Sequence, residues 1–373
     1  MYKILFPISD TTIYERFPYK NVGTDAVIEL TKASMGAPSL YTVEEDGTYQ
    51  TYEGTYNSRI LMKFDLIDLM NNQTYLSASY YLNIRATEAT ELPIQYTLYA
   101  HPISGSWENG TGFYNNEPEI TNGASWKYRS GKLSAIVWPT SSLASTVTAS
   151  YSNEVGGGNW FTSSFATQSF NYQEPDVRMD VTSIVRSWLI GSITNDGLIL
   201  KFSETDEKSN SILGSIKFFS KDTHTIYVPR LEVFWNAIDH SGTGSINQVS
   251  DDDFVLYLKN LKDSFNENEV SKIKVGVRER YPVQTYVTSS NYLTTKRPPS
   301  NTYFQIMDNV TDEVFVPFHN PGTKVNCDVN GAYIKMDCYS LMPERYYKLV
   351  FKSEFDDGIV RYVDENFIFK INR

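Results

Sequence analysis

DVTSIVRSWLIGSITNDGLILKF, residues 180–202, holds a short helix, a stop signal, a turn and a buried strand within a chain that otherwise reads as β. Ile184, Val185, Trp188 and Leu189 fall at i, i+1, i+4 and i+5, so they share one face of a helix, with Arg186 and Ser187 outside it. Asp180 or Thr182 is placed to accept the free N–H groups of the first turn. Gly191 is placed to close the helix in the left-handed conformation. Asn195-Asp196-Gly197 then turns the chain into the strand run Leu198-Ile199-Leu200. A lone amphipathic helix in this setting is expected to plug a β-sandwich rather than to carry chemistry.

Composition points the same way. The chain has 373 residues, enough for two or three domains, with 27 Tyr and 20 Phe, residues that favour pleated, half-buried surfaces. A formal net charge of −11 argues against nucleic-acid binding, which needs a basic face for phosphates. No apolar run reaches the ~18–20 residues of a membrane helix, so no membrane partner is expected. The N-terminus, MYKILFPISDTTIYERF, is broken by Pro7 and Asp10 and reads as a first strand rather than a signal peptide. There are two cysteines, Cys327 and Cys338. An Asn330-Gly331 hairpin turn would set Cys327 opposite Ile334 rather than Cys338, so two free thiols are expected.

The strand candidates of the first part are Tyr2–Phe6, Thr11–Glu15, Ala26–Leu30, Arg59–Asp65, Ser77–Ala86, Gln95–Pro102, Arg178–Asp180, Leu198–Phe202, Ile216–Phe219 and Arg230–Trp235. Their spacing suggests a jelly-roll β-sandwich over residues 1–237 with one short helix. Residues 103–175 break this rhythm; they are rich in Ser, Thr, Asn and Gly and hold Trp107, Trp126, Trp138 and Trp160. They read as long loops over the sandwich rim, pinned by the tryptophans. Residues 238–253 read as a linker. Residues 254–373 carry seven to nine short strand runs and read as an immunoglobulin-like β-sandwich, or as two sub-domains splitting near 296–300 at Arg297-Pro298-Pro299. The fold class expected is therefore all-β.

Little in the chain resembles catalytic machinery. His101, His224, His240 and His319 lack metal-type spacing, and no nucleophile elbow, phosphate loop or His-Glu-x-x-His occurs. No catalytic residue and no cofactor is assigned. Asp251, Asp252 and Asp253 form a weak Ca²⁺ candidate without the alternation or closing Glu of an EF-hand. The one binding signal is aromatic: Trp107, Trp126, Trp160, Phe161 and Tyr172, with Phe113, Tyr114, Tyr128 and Phe165 nearby. These rings suit either a cluster packed under long loops or a platform for a sugar or a protein partner.

Read in order, the motifs resemble a DNRLRE (disaggregatase-related) domain. The carriers are Asp10-Thr11-Thr12, Asn21-Val22-Gly23-Thr24, Ser58-Arg59-Ile60-Leu61-Met62-Lys63-Phe64-Asp65-Leu66, Ser77 to Leu82, Trp107-Glu108-Asn109-Gly110-Thr111-Gly112 and Asn122 to Arg129. Asp180-Val181-Thr182, Trp188, Gly191, Asn195 to Leu200 and Pro229-Arg230-Leu231-Glu232-Val233 complete the series. The resemblance covers about 235 residues and implies a jelly roll like those of carbohydrate-binding modules. The later part resembles modules of tailed-phage virion proteins, through Val277-Arg278-Glu279-Arg280-Tyr281-Pro282, residues 303–318 and Pro343 to Leu349. Together these imply a non-enzymatic structural protein of a phage virion, made in the host cytoplasm. It would be an adaptor or decoration at neck, tail or baseplate, present in many copies and touching other virion proteins. A glycan-binding module is the second reading, and a polysaccharide lyase or hydrolase the third.

Overall fold

The structure is a computed structural model that describes residues 1–34, 40–43, 49–51, 55–70, 72–134, 136–138, 147–149, 156–250, 253–281 and 294–373. Among the described residues the chain forms strands almost throughout, with three short α-helices, and is an all-β sandwich protein. It divides into two compact units. One is Leu5–Glu232; the other joins Met1–Ile4 to Val233–Arg373.

The strands run in chain order as β1 (Tyr2–Leu5), β2 (Pro7–Tyr14), β3 (Val27–Ser34), β4 (Leu40–Val43), β5 (Tyr49–Thr51), β6 (Thr55–Phe64), β7 (Ser79–Ile84) and β8 (Ala86–Thr90). Then come β9 (Gln95–Pro102), β10 (Val147–Ala149), β11 (Asn159–Phe161), β12 (Ala166–Asn171), β13 (Val177–Asp180), β14 (Leu198–Phe202), β15 (Gly214–Phe219) and β16 (Arg230–Phe234). In the first unit the main sheet has the order β12-β9-β14-β6-β3-β15-β8, with β2 also on β6, and β7 pairs with β13 in another sheet. Leu198 pairs with Met62 and Pro102, and Leu200 with Ile60 and Ala100, so one face of the main sheet is continuously apolar. With Tyr80, Leu82 and Ile84 of β7 these buried side chains make up the sandwich core.

Helix α2 (Thr182–Leu189) follows α1 (Ile67–Met70) and precedes α3 (Glu204–Lys208). It buries Ile184, Val185 and Trp188, while Leu189 is only half-buried. Asp180 accepts the Thr182 N–H at 2.9 Å, and the Thr182 hydroxyl instead accepts from Tyr80 N on β7 at 2.9 Å. Gly191 adopts the expected left-handed φ of +73°.

Two expectations for the first unit need correction. Ser77–Ala86 is not one strand, because β7 ends at Ile84 and β8 starts at Ala86. Residues 103–175 are not only loops: β12 pairs with β9 along its whole length. Its sequence, ATQSFN, buries only Ala166 and Phe170, so its polar outward face reads as loop.

The second unit adds β17 (Phe254–Leu258), β18 (Ser264–Asn266), β19 (Val270–Glu279), β20 (Asn301–Asp308), β21 (Val314–Val316), β22 (Asn326–Asp328), β23 (Gly331–Asp337), β24 (Arg345–Glu354) and β25 (Val360–Asn372). These form a four-stranded sheet, β17-β19-β23-β22, and a five-stranded sheet, β18-β25-β24-β20-β21. Residues expected as a linker are bonded into this unit: Asp239 N donates to Asn326 Oδ1 at 2.8 Å and Val249 N to Arg297 O at 3.0 Å. The β22–β23 hairpin turns through Val329-Asn330, not Asn330-Gly331, so Cys327 pairs with Ala332 rather than Ile334. The Asp328 carboxylate accepts the Asn330 N–H at 2.8 Å, and Gly331 takes φ +123° just beyond the turn. Both cysteines are free and buried.

Candidate functional site

The outer face of the main sheet is where the unusual chemistry lies. Register sets Ile13 beside Arg59, Thr11 beside Leu61, Ile199 beside His101 and Lys201 beside Tyr99. Residues from the long rim segment close over the first part of this face. Trp107, Trp126, Trp138 and Trp160 are all buried, in one cluster with Ile13, Leu61, Ile103, Ala124 and Ile199. Their polar edges are matched where they reach backbone: Trp107 Nε1 donates to Asp196 O at 2.8 Å, and Trp138 Nε1 to Ser125 O at 2.9 Å. The rim segment is thus a third layer with its own core.

Asn21 ties that layer together. Its side-chain N–H groups reach Asn109 O at 2.8 Å and Ala124 O at 2.9 Å. Its side-chain oxygen accepts from Gly23 N at 3.2 Å and Gly112 N at 3.0 Å. Three motifs far apart in sequence, Asn21 to Thr24, Trp107 to Gly112 and Asn122 to Trp126, therefore meet on one fully buried amide.

Beneath the tryptophans sits a buried ionic network that sequence reading missed. Arg59 grips Glu207 through two bonds, Nε to Oε1 at 3.0 Å and Nη2 to Oε2 at 2.9 Å, and Lys201 Nζ reaches Glu207 Oε2 at 2.8 Å. Arg59 also donates to Gly157 O, and its guanidinium lies 4.7 Å from the Trp126 ring and 5.1 Å from the Trp160 ring. Burial alone would raise the Glu207 pKa, but the Arg59 and Lys201 charges outweigh it and hold the carboxylate below its usual range. Glu207 lies 148 residues from Arg59, on helix α3, so no local pattern announces the pair. Every charge here has a close partner, and the network reads as an anchor for the third layer.

The aromatics picked from sequence divide accordingly. Trp107, Trp126 and Trp160 face the interior, so they offer no open ring face; Phe161 is half-buried, and Tyr172 is 82% exposed. The rings that share a surface are others. Tyr99 and His101 lie parallel with centroids 6.1 Å apart, and Phe165, 52% exposed, sits 6.1 and 5.8 Å from them. Burial first, and then the charge of Lys201, lowers the His101 pKa to about 4, so its imidazole is neutral near pH 7. The alternation Tyr99-x-His101 on a strand was the available sequence signal. Of the Ca²⁺ candidate, Asp251 and Asp252 lie outside the described residues, while Asp253 is bonded to Arg280 at 2.8 Å and Arg361 at 3.1 Å. Among the described residues no group of three or more His, Cys, Asp or Glu side chains is placed to hold a metal ion. Nor, among the described residues, is any helix long and apolar enough to cross a membrane. No protein-family model matches the chain, and neither does any curated protein.

Proposed function

We propose that the chain is a non-enzymatic assembly protein that acts through contacts with other proteins. In the more specific reading, it is an adaptor or decoration at the neck, tail or baseplate of a tailed-phage virion. The observation that carries this is the third layer. Its loops are locked by four buried tryptophans, the Asn21 amide and the Arg59–Glu207–Lys201 network. Preformed loops lose little conformational freedom on docking, which favours recognition of a protein surface. The phage assignment rests on the sequence resemblance of the second unit. The test is to purify particles from the source phage, identify their proteins by mass spectrometry and locate the chain by electron cryomicroscopy. Repeated copies wedged between neighbours are expected; a chain missing from the particles would overturn the virion reading.

The ring cluster of Tyr99, His101 and Phe165 favours a second reading, glycan binding, because the exposed Phe165 ring beside half-buried Tyr99 and the half-buried, neutral His101 can stack on sugars. Binding on a glycan array that disappears in Tyr99→Ala and Phe165→Ala would support it, and an array without binding removes it.

A further inference from the structure

We propose that copies of this chain associate head to tail, a basic loop tip on the first unit of one copy docking on an acidic patch of the second unit of the next. The tip is formed by residues 127–134 and 136–137. Leu133 is 98% exposed there, and Ile136 and Val137 are also exposed. Three apolar side chains exposed together on one loop tip suit a contact. The tip is braced rather than loose: Arg129 N donates to Ile136 O at 2.9 Å, Lys132 N to Thr121 O at 2.8 Å and the Ser134 hydroxyl to Gly131 O at 3.1 Å. Lys127 and Lys132 flank it, with their ammonium groups 5.2 and 4.9 Å from the centre of the Tyr19 ring. The tip is thus apolar at its summit and positive at its sides, in a protein of net charge −11.

The complement lies on the five-stranded sheet of the second unit. Between Leu349↔Phe367 and Phe351↔Val363 the register shifts, so Asp364, Glu365 and Asn366 bulge from β25 and are exposed, with Asn366 at φ +56°. Asp312, at φ +56° in a neighbouring turn, and Asp364 both approach Lys348 Nζ, at 2.7 and 3.7 Å, which sets the two carboxylates side by side. Glu313 and Glu365 add further negative charge. Exposed Tyr346 and Ile368 lie alongside, Ile368 opposite Lys348 in the ladder. Lys348 and Lys370 stand opposite Ile368 and Tyr346, but the carboxylates of Asp312, Glu313, Glu344, Asp364 and Glu365 outnumber them, so the apolar side chains lie in a net negative frame that complements the tip. Two different patches make the contact heterologous, so it generates rings or filaments rather than a closed dimer.

The inference deepens the assembly reading but is tested on the purified chain. Sedimentation velocity over a concentration series should show species that grow with concentration in low salt and dissolve in high salt. Lys127→Glu/Lys132→Glu and Asp364→Lys/Glu365→Lys, exchanges confined to the two patches, should each be monomeric. Mixed in equal amounts, they should associate again, because each supplies the patch the other lacks. Carbodiimide should then link Lys132 of one wild-type copy to Asp364 or Glu365 of another. A wild-type chain that stays monomeric at every salt concentration, reversed variants that assemble like wild type, or a mixture that stays monomeric would each overturn the contact. Particles that hold the chain without this contact would overturn it too, while leaving the assembly reading standing.

Discussion

Asn21 shows how one side chain can fix three loops. Its amide donates two hydrogen bonds and accepts two, all to backbone in the first unit. Asn21→Ala strands those buried groups and should destabilise the first unit by about 3–5 kcal/mol. Asn21→Asp should cost about as much, because a carboxylate cannot donate and would face the carbonyls of Asn109 and Ala124. Urea unfolding followed by tryptophan fluorescence reads this; an aspartate variant as stable as wild type would refute the donor role. Asp10 gives a pH signature. Its Oδ2 accepts the Lys221 N–H at 2.6 Å, while its buried Oδ1 has no hydrogen-bond partner among the described residues. Burial pushes its pKa up to about 7 against that bond. The folded chain therefore holds this proton more tightly than the unfolded one, whose aspartate titrates near ~3.9. Asp10's contribution is fully present below that value and is lost as pH rises through 7, with a slope of at most ~1.4 kcal/mol per pH unit. Asp10→Asn keeps an acceptor for Lys221 and removes the slope, so its stability relative to wild type should improve between pH 5 and 8. A constant difference across that range would refute the assignment.

At the scale of elements, the opening stretch was legible because its signals are local. Helix spacing, the stop at Gly191 and the turn at Asn195 to Gly197 each depend on neighbours within a few residues. Strand β12 was missed because only Ala166 and Phe170 enter the core, and the β22–β23 turn slipped because the Asp328 carboxylate closes it one residue early. The two glycines of the opening stretch look alike in sequence but differ in surroundings. Gly191 has φ +73° and open space where a Cβ would stand, so Gly191→Ala should cost only the backbone strain, about 1–2 kcal/mol. Gly197 has φ +96°, and a Cβ there would lie 2.4 Å from Met62 O on β6. Gly197→Ala must therefore push apart the β14–β6 pairing as well, and should cost roughly 3 kcal/mol or more. Thermal unfolding of the two variants checks this, and equal shifts in midpoint would contradict the steric account.

For the whole molecule, sequence reading recovered the all-β sandwich class, since alternation and turn signals mark strands wherever they fall. It could not see which sandwich claims a given segment, because that depends on contacts hundreds of residues apart. Met1–Ile4 belong to the second unit. Tyr2 is buried there, its hydroxyl donates to Asp337 O at 3.3 Å, and its ring meets Phe304 edge-on at 6.0 Å. Ile4 N donates to the Ser340 hydroxyl at 3.0 Å. The second unit is therefore completed by residues more than 200 positions before its next segment, and a fragment starting at Val233 lacks part of its core. Tyr2→Ala empties that place and should destabilise the second unit by about 3–5 kcal/mol. The loss should stay in that unit. Hydrogen exchange should accelerate in β20 and β24 of the full chain while β6 and β14 keep their protection. Tryptophan fluorescence gives an independent check, because Trp107, Trp126, Trp138, Trp160 and Trp188 all lie in the first unit and only Trp235 in the second. Its main transition should hold its midpoint in Tyr2→Ala, and a shift there with unchanged exchange in β24 would place Tyr2 in the stability of the first unit instead.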